Sequence, residues 1–151
     1  TVLVIDSLTL LGEALMNHVL AMQGRLGQQP QIQDWGEAQR MQKSIVELLY
    51  SDAIKCHVIV LSHITFVGRE ENDADLRGYP AALGQKLPPL IGRYFNTTIM
   101  ARSKGSGAHQ KRTLHTVSEG KVELKTENPK KIPAELPLET GMADLFKILT
   151  A

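Results

Sequence analysis

TVLVIDSLT, residues 1–9, decides how the chain is read. An unbroken aliphatic run from Val2 to Ile5 fits a strand covered on both faces, and it stops at Asp6 and Ser7. Directly behind, Leu8, Leu11, Leu15, Val19 and Met22 recur at steps of three or four, the apolar face of an amphipathic helix. A strand feeding a helix puts Asp6 at the carboxyl end of a sheet strand, where open α/β proteins bind their ligands. Asp6 or Ser7 could instead serve only as the helix N-cap, because either side chain can accept from an orphan backbone N–H.

Working outward, the first helix should end near Gly24 to Gly27. Asp34 with Glu37 has capping-box spacing ahead of a second helix through Ala38, Met41, Ile45 and Leu48. CHVIVLSHITF, residues 56–66, is apolar, β-branched and short, as expected of another buried strand. Residues 68–80, GREENDADLRGYP, read as an exposed, mobile loop closed by Gly78 and Pro80. Residues 81–95 read as helical, with Pro88 and Pro89 starting, breaking or kinking that helix. NTTIMARS and KRTLHTV then flank the tip KGSGAHQ, a basic hairpin over residues 102–112, and GKVELKT adds a further strand to a β-meander. A proline-spaced extended stretch from Pro129 to Pro137 leads to a terminal helix in ETGMADLFKIL.

The chain is long enough, at 151 residues with 42% apolar character, to bury one core, so a single α/β domain is expected. Its formal charge of +1 draws it globally to neither nucleic acid nor membrane, and any such contact must be local. No stretch has the length and apolarity of a membrane span, and no secretory signal pattern appears. Cys56, the single cysteine, cannot form an internal disulfide, and a cytoplasmic location is the default expectation. Cys56 and His57 have no second Cys/His pair at zinc spacing, so no metal cluster is assigned. Thr1 already lies inside a strand pattern without an initiator methionine, which is what a fragment would look like.

The two strand ends carry the chemistry. VLVIDS supplies Asp6 and Ser7, and VIVLSH supplies Ser62 and His63; in a parallel sheet with these strands adjacent, the ends converge. VLVIDS resembles the Walker B strand of RecA-like P-loop ATPases, and VIVLSH resembles the strand that ends in their phosphate-sensing polar residue. The run from VIVLSHITF through RGYPAALGQKLPPLIGRYFNTTIMARSKGSG to ELPLETGMADLFK is similar to phage-encoded ATPases of the RecA-like, single-strand-annealing type.

That resemblance implies the C-terminal portion of a RecA-like α/β core: a mostly parallel sheet flanked by helices, followed by a β-meander. It implies ATP and magnesium as cofactors, with Asp6 holding the magnesium ion through water, Ser7 as its hydroxyl neighbour, and Ser62 and His63 at the sensing position. A histidine there departs from the family's usual glutamine, and its charge varies near neutral pH. The chain also contains no G-x-x-x-x-G-K-[ST]; in the resembled family that phosphate loop and the water-activating glutamate precede Walker B. Alone, these residues are not expected to hydrolyse ATP.

Partners follow from the same resemblance: single-stranded DNA in recombination or replication, and further copies of the chain in a ring or filament. Arg102, Lys104, Lys111 and Arg112 surround a glycine-rich tip with no acid among them; they read as a solvated hairpin, a cation reaching a neighbouring subunit's nucleotide, or a contact to single strands. Lys104 and Arg112 lead for the role in trans. Residues 68–80 occupy the place of the family's DNA-contacting loop, with Arg69, Arg77 and Tyr79 as candidates, although Glu70, Glu71, Asp73 and Asp75 would repel phosphates. A non-catalytic assembly module and a motor on duplex DNA are the alternatives.

Overall fold

The aliphatic run at the start forms β1 (Val2–Asp6), and the helical period behind it forms α1 (Leu8–Met22). Both belong to a computed structural model that describes residues 1–68 and 75–151. The chain divides into two compact units, Thr1–Tyr94 and Phe95–Ala151.

In the first unit, α1 packs against α2 (Ile32–Tyr50) through Met16, Val19, Leu20 and Ala38, with Met41 and Leu83 alongside. The capping box of α2 sits one turn earlier than Asp34–Glu37. Asp34 is the third helical residue, and its Oδ2 accepts from the N–H of Gln31 at 2.7 Å. Gln42, fully buried, joins three segments: its Nε2 donates to the Leu8 carbonyl at 2.7 Å, and its Oε1 accepts from the Leu83 N–H at 2.8 Å. Gly12 permits this approach, since a Cβ there would lie 2.9 Å from Leu83 Cγ and 3.0 Å from Gln42 Nε2.

The expected strand over 56–66 is two strands. β2 (His57–Leu61) pairs in parallel with β1, from Val2↔His57 to Asp6↔Leu61. After Ser62 and His63 the chain turns into β3 (Ile64–Val67), which pairs antiparallel with β4 (Arg77–Pro80). The break is held from the side: Ser62 Oγ donates to the Ala81 carbonyl at 2.9 Å, and the Ala81 N–H donates to the His63 carbonyl at 2.8 Å. The end of the expected 68–80 loop is therefore strand, with Pro80 at the strand terminus where a missing donor is tolerated. The expected 81–95 helix is reduced to one turn, α3 (Pro88–Ile91), and a 3-10 turn at Gly92–Tyr94; the prolines occupy its first two positions, where their missing N–H groups cost nothing.

In the second unit, β5 (Met100–Lys104) and β6 (Lys111–His115) form the expected hairpin. The third strand beside β6 is β7 (Glu135–Pro137), not GKVELKT, whose residues make only the isolated bridges Thr98↔Lys125 and Glu119↔Val122. α4 (Leu138–Thr150) covers the sheet through Leu114, Ile132, Leu136 and Leu145. It comes so close that a Cβ on Gly141 would stand 2.9 Å from Leu136 Cβ. The architecture is mixed α/β: one parallel strand pair and two small antiparallel sheets among the described residues, where a mostly parallel sheet was expected.

Candidate functional site

The parallel register of β1 and β2 ends both strands at one edge, with Asp6 opposite Leu61 and Ser62 and His63 immediately beyond. The two ends are tied. The His63 N–H donates to Thr9 Oγ1, in the first turn of α1, at 3.2 Å. Sequence reasoning passed over Thr9, since a threonine in a helix's first turn carries no signal of a bond to a residue 54 positions away.

Ser7 is the N-cap of α1: its Oγ accepts from the Leu10 N–H at 3.3 Å, and the residue is buried. Capping therefore falls to Ser7 and leaves the Asp6 carboxylate unengaged. Asp6 is exposed, and its carboxylate enters no hydrogen bond or ion pair among the described residues. The peptide bond between the two residues is cis. His63 is exposed beside this edge, whereas the Ser62 hydroxyl is engaged with Ala81 and acts as a tether.

Among the described residues no group of three or more His, Cys, Asp or Glu could hold a metal ion. One free carboxylate fits a different kind of cation: magnesium, which keeps several waters and is bound through one or two carboxylates plus phosphate oxygens.

Of the expected DNA-contacting residues, Arg69 lies outside the described residues. Arg77 and Tyr79 are on β4, opposite Val67 and Thr65, so both project from one face of the β3–β4 ribbon. Phe66, which the sequence reading did not single out, is 53% exposed on the other face, opposite Gly78.

The basic hairpin sorts its cations by strand alternation. Arg102 pairs with Thr113 and Lys104 with Lys111, which places these three cations on one face; Arg112 pairs with Ser103 on the other. The two leading candidates, Lys104 and Arg112, are thus on opposite faces. Arg112 donates to Gln110 Oε1 at 3.3 Å, and Lys111 pairs with Glu135 Oε1 at 3.0 Å. The hydrogen bond and charge of Lys111 hold the Glu135 carboxyl below its ordinary value. Arg102 Nη1 meets Glu119 Oε2 at 2.5 Å, a pairing of residues 17 positions apart that no local pattern could have signalled.

No helix among the described residues is long and apolar enough to cross a membrane. Compared with known proteins, the chain matches no family model, no curated protein and no solved structure.

Proposed function

We propose that the edge formed by β1 and β2 is the magnesium–nucleotide ledge of a RecA-like ATPase of phage type, whose turnover is coupled to single-stranded DNA. One observation carries this reading: adjacent parallel strands bring Asp6 and His63 to a common edge, while Ser7 takes over the capping that would otherwise explain Asp6. Asp6 would hold a water of the phosphate-bound magnesium ion, and His63 would donate to a terminal phosphate oxygen. Magnesium, when bound, supplies charge neutralisation at the phosphates. Single strands would meet the face of the β3–β4 ribbon that carries Arg77 and Tyr79, or, separately, the basic hairpin. ATP is the expected nucleotide, and ring or filament assembly the expected state.

Binding is the appropriate readout, since the chain carries no phosphate-loop motif. A fluorescent ATP analogue titrated with magnesium should bind the unaltered chain, and Asp6→Asn should weaken it about tenfold or more. Magnesium-independent binding, or equal affinity in Asp6→Asn, would remove the assignment.

A second reading, assembly without catalysis, draws on the exposure of β1 and β2. Val2, Val4 and Leu61 are 45%, 54% and 44% exposed, unlike the covered strands usual in parallel sheets. If the chain sediments as an oligomer yet binds no nucleotide, this reading takes precedence. Preference for duplex over single strands across a salt series would instead favour a duplex motor.

A further inference from the structure

Arg102 and Thr113 are cross-strand partners, and His115 follows two residues along β6, so the three project from one face of the β5–β6 hairpin. Arg102 and His115 are linked through one carboxylate, and Thr113 joins them through the imidazole. Glu119 Oε2 takes Arg102 Nη1 at 2.5 Å and His115 Nδ1 at 3.1 Å, and His115 Nε2 lies 3.0 Å from Thr113 Oγ1. A single carboxylate oxygen receiving both a guanidinium and an imidazole is in the environment a phosphate oxygen seeks.

The carboxylate arrives on a braced turn. Ser118 Oγ accepts from the Leu124 N–H at 2.9 Å and donates to the Leu124 carbonyl at 3.0 Å, and Glu119 bridges Val122. Arg102 and Glu119 are each about half exposed, at 47% and 50%, so the pair is open to solvent, weakly held and screened by salt.

We propose that Arg102 and His115 form a binding site for a phosphate oxyanion, with buried Thr113 fixing the imidazole through His115 Nε2, and that Glu119 occupies the site as an internal stand-in which an incoming phosphate must displace. The proposal rests on the reading of the hairpin as a phosphate contact and adds its regulation. The phosphate could belong to a single-stranded nucleic acid backbone or to a nucleotide. Glu135 restrains Lys111 on the same face in a similar way, which leaves the hairpin less cationic than its sequence suggests.

The test compares the unaltered chain, Glu119→Gln, Arg102→Gln and the double variant, using a labelled oligothymidylate in one arm and a fluorescent ATP analogue in the other. Glu13→Gln, an equal charge change at an exposed site in the first unit, controls for net charge. Glu119→Gln should tighten oligothymidylate binding about fivefold. It should also steepen the log–log salt dependence by about 0.7, the mark of one added phosphate contact on a single strand. Arg102→Gln should cost little in the unaltered chain and remove the whole gain in the Glu119→Gln background, a coupling that a general charge effect does not produce. A gain on the nucleotide analogue alone assigns the phosphate to a nucleotide. Equal affinities for Glu119→Gln and Glu13→Gln on both probes, or the same cost of Arg102→Gln in both backgrounds, overturns the stand-in role. The hairpin reading fails separately: in that case neither the unaltered chain nor Glu119→Gln shows salt-dependent binding to either probe.

Discussion

The His63 N–H donates to Thr9 Oγ1 across 3.2 Å, joining the end of β2 to the first turn of α1. Asp6 and Ser7 connect β1 to the same helix, so this bond closes the ledge from its second side. Thr9→Val keeps the shape and removes the acceptor. It should cost about 1 kcal/mol in urea unfolding and make the His63 amide exchange faster in hydrogen exchange; an unchanged His63 amide would show that the bond does not hold the ledge.

Ser7 and Asp6 are neighbours with separable roles. Ser7→Ala removes the cap of α1 and should destabilise by about 1 kcal/mol. Asp6→Asn removes no side-chain bond and should leave stability within about 0.5 kcal/mol while weakening magnesium-dependent nucleotide binding about tenfold or more. A stability loss in Asp6→Asn as large as that in Ser7→Ala would mean that the carboxylate serves the fold.

Gln42 bonds Leu8 and Leu83 from a fully buried position. Gln42→Leu fills similar volume but removes both bonds and leaves the part-buried Leu83 N–H without its acceptor. A donor left unsatisfied in this way costs about 1–3 kcal/mol, the loss expected in chemical denaturation.

Asp34 has a fully buried side chain, with Arg25 Nη2 2.6 Å away. The Arg25 hydrogen bond, the Gln31 N–H and the Arg25 charge hold its carboxyl below the ordinary 3.8, outweighing the opposing effect of burial. A folded-state value below the unfolded one stabilises fully above the ordinary value, and that contribution is lost as pH falls through the folded value. Melting temperatures of the unaltered chain and Asp34→Asn should therefore differ most near neutrality and converge below about pH 4. A gap independent of pH would contradict this.

Local signals carried much of the fold. The periodicity of Leu8, Leu11 and Leu15 and of Ala38, Met41 and Ile45 located α1 and α2, because a helix's apolar face is written in nearby residues. The aliphatic runs located β1 and β2. What periodicity could not place was fixed by distant partners. The strand over 56–66 breaks because Ala81 bonds both Ser62 and His63, and β4 forms from RGYP, whose glycine and proline read as turn residues. GKVELKT alternates as a strand should, yet the place beside β6 goes to Glu135–Pro137, which lets α4 seat Leu145 against Leu114 and Leu136. At the candidate site, Asp6 and His63 were legible as strand ends; Thr9 and Glu119 were not, because their partners are far away in sequence.

The most direct test of the ledge is paramagnetic relaxation of backbone amides with manganese substituted for magnesium in a complex with ATP. The amides of Asp6, Ser7, Ser62 and His63 should broaden first, and Asp6→Asn should abolish the effect. Broadening centred on other residues, or identical broadening in Asp6→Asn, would contradict a nucleotide site at the ends of β1 and β2.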